Sequence, residues 1–270
     1  MISNDWTRQA LNALASAAAD EVAFTFPARQ SAAAGAFVHH HTGAFGVLLT
    51  ATSSAVFADN AAHVAAAITN GDSQLPKGFD PHVPLPNAIG PHLRKLQAIQ
   101  SQLFEMVYIR VADNLMTYVV DVMAECMRAQ PNLIRSTKDS VPTDVLLNYD
   151  SMDELRAHLI ERKLLGVAYL GLEGQCDWLH THLGVSDLRK IPAFPSVVEL
   201  IETRNCMVHS RAKVGEKFLR ALRPFGVVAT KGQPLEVSMD DLFVVGRAAV
   251  EFARHIDEQV IAKFDLAPSR

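Results

Sequence analysis

Between Pro91 and Arg128 apolar side chains recur mostly three or four residues apart: Leu93, Leu96, Leu103, Val107, Val111, Leu115, Val119, Val122 and Cys126. That spacing follows the helical period, and Pro91 suits a first helical turn, where no backbone N–H is needed. The pattern predicts one long helix from Pro91 to about Arg128, the backbone of a helical bundle. Upstream, Asp5–Asp20 reads as an Ala-rich amphipathic helix with Trp6, Leu11 and Leu14 near one side. Residues 31–70 are rich in Ala, Gly, Ser and Thr; within them Phe45–Thr50 reads as a strand and Ser54–Thr69 as a helix. Pro76, Pro81, Pro84, Pro86 and Pro91 rule out a continuous helix from Gly71 to Pro91 and mark an extended connection. A domain boundary is placed there, with residues 1–88 as an extension of unknown role and 89–270 as the helical domain.

Downstream, Pro131–Asn148 reads as a connection, after which Ser151 and Glu154 form the signature of a helix start. The serine side chain accepts from the third helical amide while the glutamate reaches back to the cap. Gly166 is expected to separate this helix from one running through His182. Pro195-Ser196-Val197-Val198-Glu199 repeats the capping signature and predicts a helix start at Ser196, with Val197, Leu200, Ile201 and Val208, and Cys206 or Met207 between, as its core-facing stripe. Ser238 is expected to cap a final helix through Ala262. No strand–helix alternation, Gly-rich phosphate loop or nucleotidyltransferase signature is present, so any such activity would belong to another chain.

Composition narrows the class. The 270 residues are 49% apolar, ample for a packed core, and 25 Lys plus Arg against 29 Asp plus Glu give a net charge of −4. That balance argues against a non-specific nucleic-acid coat protein. Cys126, Cys176 and Cys206 are odd in number and widely spaced, which suggests neither a disulfide framework nor a zinc pattern and points to a reducing cytoplasm. No basic region precedes an apolar run at the N-terminus, which argues against a secretory signal, and Ala44–Ala58 is too short and too rich in Ser and Thr to span a bilayer.

The charge is unevenly spread. From Arg204 to Arg223 the bases are Arg204, Arg211, Lys213, Lys217, Arg220 and Arg223, against Glu216 alone, with Arg189-Lys190 just before. Such a run suits a phosphate backbone, or is simply a solvated helix face. Phe218 and Phe225 within it read as core residues rather than base-stacking platforms. At the head of the run stands Arg204-Asn205-Cys206-Met207-Val208-His209. Arginine offers a planar fork of donors that matches phosphate oxygens, and histidine exchanges protons near neutrality. On a helix Arg204 and His209 lie about 140° apart, whereas Asn205 and His209, one turn apart, share a side. Asn205 is therefore placed to orient the imidazole, with the long Arg204 reaching round toward the same cleft. The alternative is a structural network, with Arg204 paired to Glu199 or Glu202 and His209 satisfied inside a helix contact. Cys206 reads as a small packed hydrophobe. The run His39-His40-His41, and the pair His180 and His182, lack ligand spacing and read as surface or packing residues.

With its flanks, this hexapeptide resembles the HEPN superfamily, whose ribonuclease members carry Arg, a polar residue, three further residues and His. The flanks are Phe194-Pro195-Ser196 through Glu199-Leu200-Ile201 and Val214-Gly215-Glu216-Lys217-Phe218-Leu219, together with the segment from Ser151-Met152-Asp153-Glu154-Leu155 to Leu183-Gly184. The likeness spans roughly residues 91 to 264 and points to the larger members found in bacterial toxin and phage-defence systems. It implies an all-α helical bundle that pairs about a two-fold axis, and a metal-independent endoribonuclease needing no cofactor; the first ninety residues, which read as a mostly helical N-terminal extension, lie outside it. His209 would serve as base toward the ribose 2′-hydroxyl or acid toward the leaving oxygen, Arg204 would stabilise phosphoryl charge, and Arg211, Lys213, Lys217 and Arg220 would hold RNA. The implied partners are RNA, a second copy, and an antitoxin or sensor protein. HEPN toxins silenced by adenylylation carry Tyr two residues after the His; here Arg211 stands there, which puts that control in doubt. The competing expectation is a non-catalytic dimerisation or RNA-binding module.

Overall fold

A computed structural model describes residues 26–70, 90–134, 142 and 148–266. The helix expected at Asp5–Asp20 and most of the proline-rich connection lie outside them. Among the described residues the architecture is all-α, with eight α helices: α1 (Ala32–Thr69), α2 (Pro91–Ala98), α3 (Gln100–Ala129), α4 (Met152–Ala168), α5 (Gly171–Trp178), α6 (Phe194–Ser210), α7 (Glu216–Leu222) and α8 (Met239–Phe264). None of them is long and apolar enough to cross a membrane.

α3 is the central element, packed by α1, α4, α6 and α8. Its predicted stripe is realised, with Val107, Val111, Leu115, Val119, Val122 and Cys126 all buried. The single helix expected from Pro91 is instead two, because Ile99 leaves helical geometry at φ −112° and ψ 9°. Pro91 does open the first of them. The cap there comes from a distance: Asp59 on α1 accepts the His92 and Leu93 amides at 3.0 and 2.9 Å. Burial raises the Asp59 carboxyl, but these bonds and the His92 imidazole outweigh it and hold its pKa below the ordinary value. Gly90 is required at that approach, since a Cβ there would lie 2.2 Å from the Asp59 carboxyl carbon.

The expected strand at Phe45–Thr50 is helical, part of a 38-residue α1. Phe37, His41, Ala44, Phe45, Leu48, Thr52 and Val56 are buried at helical spacing, so packing on α3 overrides the local strand preference of Val47 and its neighbours. Phe37, Phe45 and Leu48 belong to the same core as α3, α6 and α8. The start of α1 is saturated with acceptors. Ser31 Oγ takes the Ala34 amide at 3.0 Å, Asp257 of α8 accepts both the Ser31 amide and its hydroxyl, and Glu125 of α3 takes the Ala33 amide at 2.6 Å.

The capping signatures held at two of three places. Ser151 Oγ accepts the Glu154 amide at 3.2 Å, and Ser238 with Asp241 forms a reciprocal capping box at the start of α8, which runs two residues beyond Ala262. At α6 the cap position is Ala193, with Pro195 in the first turn and Ser196 inside the helix. The proline's fixed φ extends the helix upstream of the serine. Gly166 lies within α4; the break falls at Tyr169 and Leu170, and Gly171 at φ +68° starts α5.

Candidate functional site

α6 carries the hexapeptide in its last turns, as its sequence implies. Val197, Leu200, Ile201, Cys206 and Met207 bury the inner side, whereas Val208, expected in the stripe, is 46% exposed. The helix ends at Ser210, and its continuation is unusual. Arg211 and Ala212 both take left-handed φ, at 52° and 55°, without being glycine. Each such residue costs about 1–2 kcal/mol. The turn is held by the segment that follows α7: Leu235 donates to the Ala212 carbonyl at 2.7 Å and Val214 to Gln233 at 2.9 Å. The strained turn fixes where Arg211 and Lys213 leave the helix end.

The side chains of the hexapeptide divide. His209 is exposed, and Arg204 is part-buried with 28% of its side chain open to solvent. Arg204 Nη2 contacts Asp113 Oδ1 on α3 at 2.8 Å, and Nη1 makes a long bond of 3.4 Å to Asn205 Oδ1. The Arg204 Nε is buried without a hydrogen-bond partner. Asn205 therefore turns to Arg204, not to His209 as the helical spacing suggests. Neither carboxylate considered as an alternative partner forms an ion pair with Arg204: Glu202 pairs with Lys217 at 3.0 Å, and Asp113 stands beside Arg204 instead. Asp113 escaped the sequence reading because its pairing depends on the register of α6 against α3. Its one signal is a carboxylate set between Ala112 and Asn114 in an otherwise apolar run.

Arg211, Lys213, Lys217 and Arg220 are all exposed, as is Arg223. Among the described residues Arg211, Lys213, Arg220 and Arg223 make no ion pair, while Lys217 is tied to Glu202. Arg189 and Lys190, by contrast, are neutralised by Asp177 and Asp187. Phe218 is buried, but Phe225, expected in the core, is 38% exposed and meets Phe194 edge-on at 6.1 Å. An open cleft of about 300 Å³ adjoins the end of α6, floored by Phe104 and Met207 and edged by Gln97, Glu105 and Glu236.

The cysteines, His41 and His182 serve packing. Cys206 is buried, as are Cys126 and Cys176, whose thiols burial pushes up to about 12. His41 lies between Phe37 and Phe45, and His182 stacks on Trp178 at 4.7 Å. Among the described residues no group of three or more His, Cys, Asp or Glu is arranged to hold a metal ion. No family model matches the chain, and no curated protein or solved structure does either.

Proposed function

We propose that the chain is a metal-independent endoribonuclease of the HEPN type, working as a two-fold dimer in the cytoplasm and serving as a toxin or phage-defence effector held in check by an antitoxin or sensor protein. The observation that carries this reading is the exposure of His209 at the tip of α6, beside a turn whose cations Arg211 and Lys213 have no carboxylate partner among the described residues. An imidazole open to solvent is free to take the proton of a ribose 2′-hydroxyl or give one to the departing 5′-oxygen. Attack of the 2′-oxygen on phosphorus then leaves a 2′,3′-cyclic phosphate and a 5′-hydroxyl. Arg204 supplies charge toward the phosphoryl oxygens, and the neighbouring cations hold the strand.

A second reading, a non-catalytic dimerisation or RNA-binding module, draws support from the Arg204–Asp113 pair, which engages the guanidinium within its own subunit. His209→Ala separates the two. Purified protein incubated with labelled RNA in chelator should lose roughly a hundredfold or more of its cleavage rate, the usual contribution of a positioned proton-transfer group. Unchanged cleavage by a folded His209→Ala protein, or none by the parent chain on a broad RNA panel, rejects the nuclease in favour of the module.

A further inference from the structure

Away from α6, one side of α8 carries Glu251, His255 and Gln259 at four-residue intervals, with Arg254 and Glu258 beside them. Opposite stands the loop that follows α5. There Gly184, at φ +66°, closes a π-helical turn over Leu179–Leu183; a Cβ at Gly184 would lie 2.4 Å from Lys263 Nζ, which also donates to the Leu183 carbonyl at 2.6 Å. His180 Nδ1 meets the Val185 carbonyl at 2.8 Å. The loop is thus fixed immediately before Ser186.

Ser186 is exposed, and its Oγ lies 2.8 Å from His255 Nε2. Gln259 braces that contact. Its Oε1 accepts the Ser186 amide at 2.7 Å, so its Nε2 is the donor, reaching Ser186 Oγ at 3.1 Å and the His255 carbonyl at 2.9 Å. In the tautomer that carries the imidazole proton on Nδ1, the Ser186 hydroxyl donates to His255 Nε2 while its oxygen accepts from Gln259. A hydroxyl donating to an imidazole at this distance is the geometry of an activated serine nucleophile. His255 also borders an open cleft of about 610 Å³, a volume suited to a small ligand, which Lys190, Arg254, Glu251, Glu258, Phe26 and Ile191 help to line.

We infer that Ser186 and His255 form a second reactive site, a serine nucleophile with its general base, acting on small carboxylic esters. Ser186 Oγ attacks the ester carbonyl carbon while its proton passes to His255 Nε2. As the tetrahedral adduct collapses, the C–O bond to the alcohol breaks and the same proton leaves with that alcohol. Water then attacks the acyl carbon while giving a proton to His255; the C–Oγ bond breaks, the acid leaves, and His255 returns the proton to Ser186 Oγ. Arg254, which lines the same cleft as His255, is a cation available to the transient oxyanion, and Gln259 is a positioning residue that holds the serine. This site stands apart from the Arg204–His209 reading and needs neither RNA nor dimerisation.

The test uses the full chain and a fluorophosphonate probe, which forms an Oγ–P bond as fluoride departs, with peptide mass spectrometry to locate the adduct. The expected result is a single adduct on Ser186, with steady turnover of 4-nitrophenyl butyrate. His255→Gln should slow labelling roughly a hundredfold while circular dichroism and melting temperature stay near the parent's. Absence of the adduct on Ser186 in the folded parent chain, or equal labelling in His255→Gln, would overturn the inference and leave Ser186 as a loop anchor to α8. Mapping on the parent chain decides the matter even if a variant fails to fold.

Discussion

The start of α1 and the carboxy-terminal end of α6 each meet carboxylates from neighbouring helices and each present a histidine, His41 and His209, yet the two are treated in opposite ways. At α1, Ser31, Asp257 and Glu125 sit at a helix start with their acceptors filled by backbone amides and a hydroxyl, and His41 is stacked between Phe37 and Phe45. At α6, His209 is open to solvent, 28% of the Arg204 side chain is exposed, and the cations of the following turn lack ion-pair partners among the described residues. Burial with satisfied hydrogen bonds ties a polar group to the fold; exposure beside uncompensated charge leaves it free to meet a ligand. The presence of a histidine says little until its surroundings are known.

The largest expected effect comes from the buried side of this contrast. Burial lowers the His41 pKa from 6.5 to about 4. Between those values the folded protein binds fewer protons than the unfolded chain, so His41 makes stability rise with pH, and that stability is lost as pH falls from 6.5 toward 4. The drop of about 2.5 units corresponds to about 3 kcal/mol. Burial raises the carboxyls of Asp257 and Glu125, which works the other way: their contribution is present at low pH and fades as pH rises through their folded values. The comparison must therefore be differential. Urea unfolding of the parent chain and of His41→Leu across pH 6.5 to 4 should show the parent losing about 3 kcal/mol relative to the variant. A difference that stays flat with pH means that His41 is not kept neutral by the fold.

How far the sequence exposed this contrast depends on the range of the interactions. The caps at Ser151 and Ser238 were legible because their donors and acceptors lie within three residues, and the stripe on α3 because a buried helix repeats its own period. The end of α6 after His209 was legible too. By contrast, the continuity of α1 depends on α3, which accepts Phe37, Phe45 and Leu48 and overrides a local strand preference. Asp113 and Arg204 are brought together by helix register, and Ser186 meets His255 from 69 residues away. The hexapeptide therefore announced its residue types, while their partners required the fold.

A smaller effect tests whether Arg204 belongs with the buried groups or with the exposed ones. Its pair with Asp113 is partly solvated, with 28% and 42% of the two side chains exposed, and such pairs contribute about 1 kcal/mol or less. Arg204→Ala should therefore lower unfolding free energy by roughly 1 kcal/mol or less, and Asp113→Ala by a similar amount. In a double-mutant cycle the coupling should be about 0.5 kcal/mol, while RNA cleavage falls far more in Arg204→Ala than stability does. A loss of several kcal/mol in Arg204→Ala would instead place the arginine with Asp257 and Glu125, as part of the scaffold.

The smallest effect concerns the exposed cations. Arg211 and Arg220 have no ion pair to lose, so replacing either by alanine should leave stability within about 0.5 kcal/mol. If each neutralises one phosphate of a single strand, each replacement should reduce the slope of log affinity against log salt by about 0.7, read by fluorescence anisotropy with a short oligoribonucleotide. Lys217 supplies the internal contrast. Its ammonium is already shared with Glu202 at 3.0 Å, so Lys217→Ala should move the slope less than Arg211→Ala does. Equal slopes for Arg211→Ala, Arg220→Ala and the parent chain would mean that this surface is a solvated helix face and that RNA, if it binds, binds elsewhere.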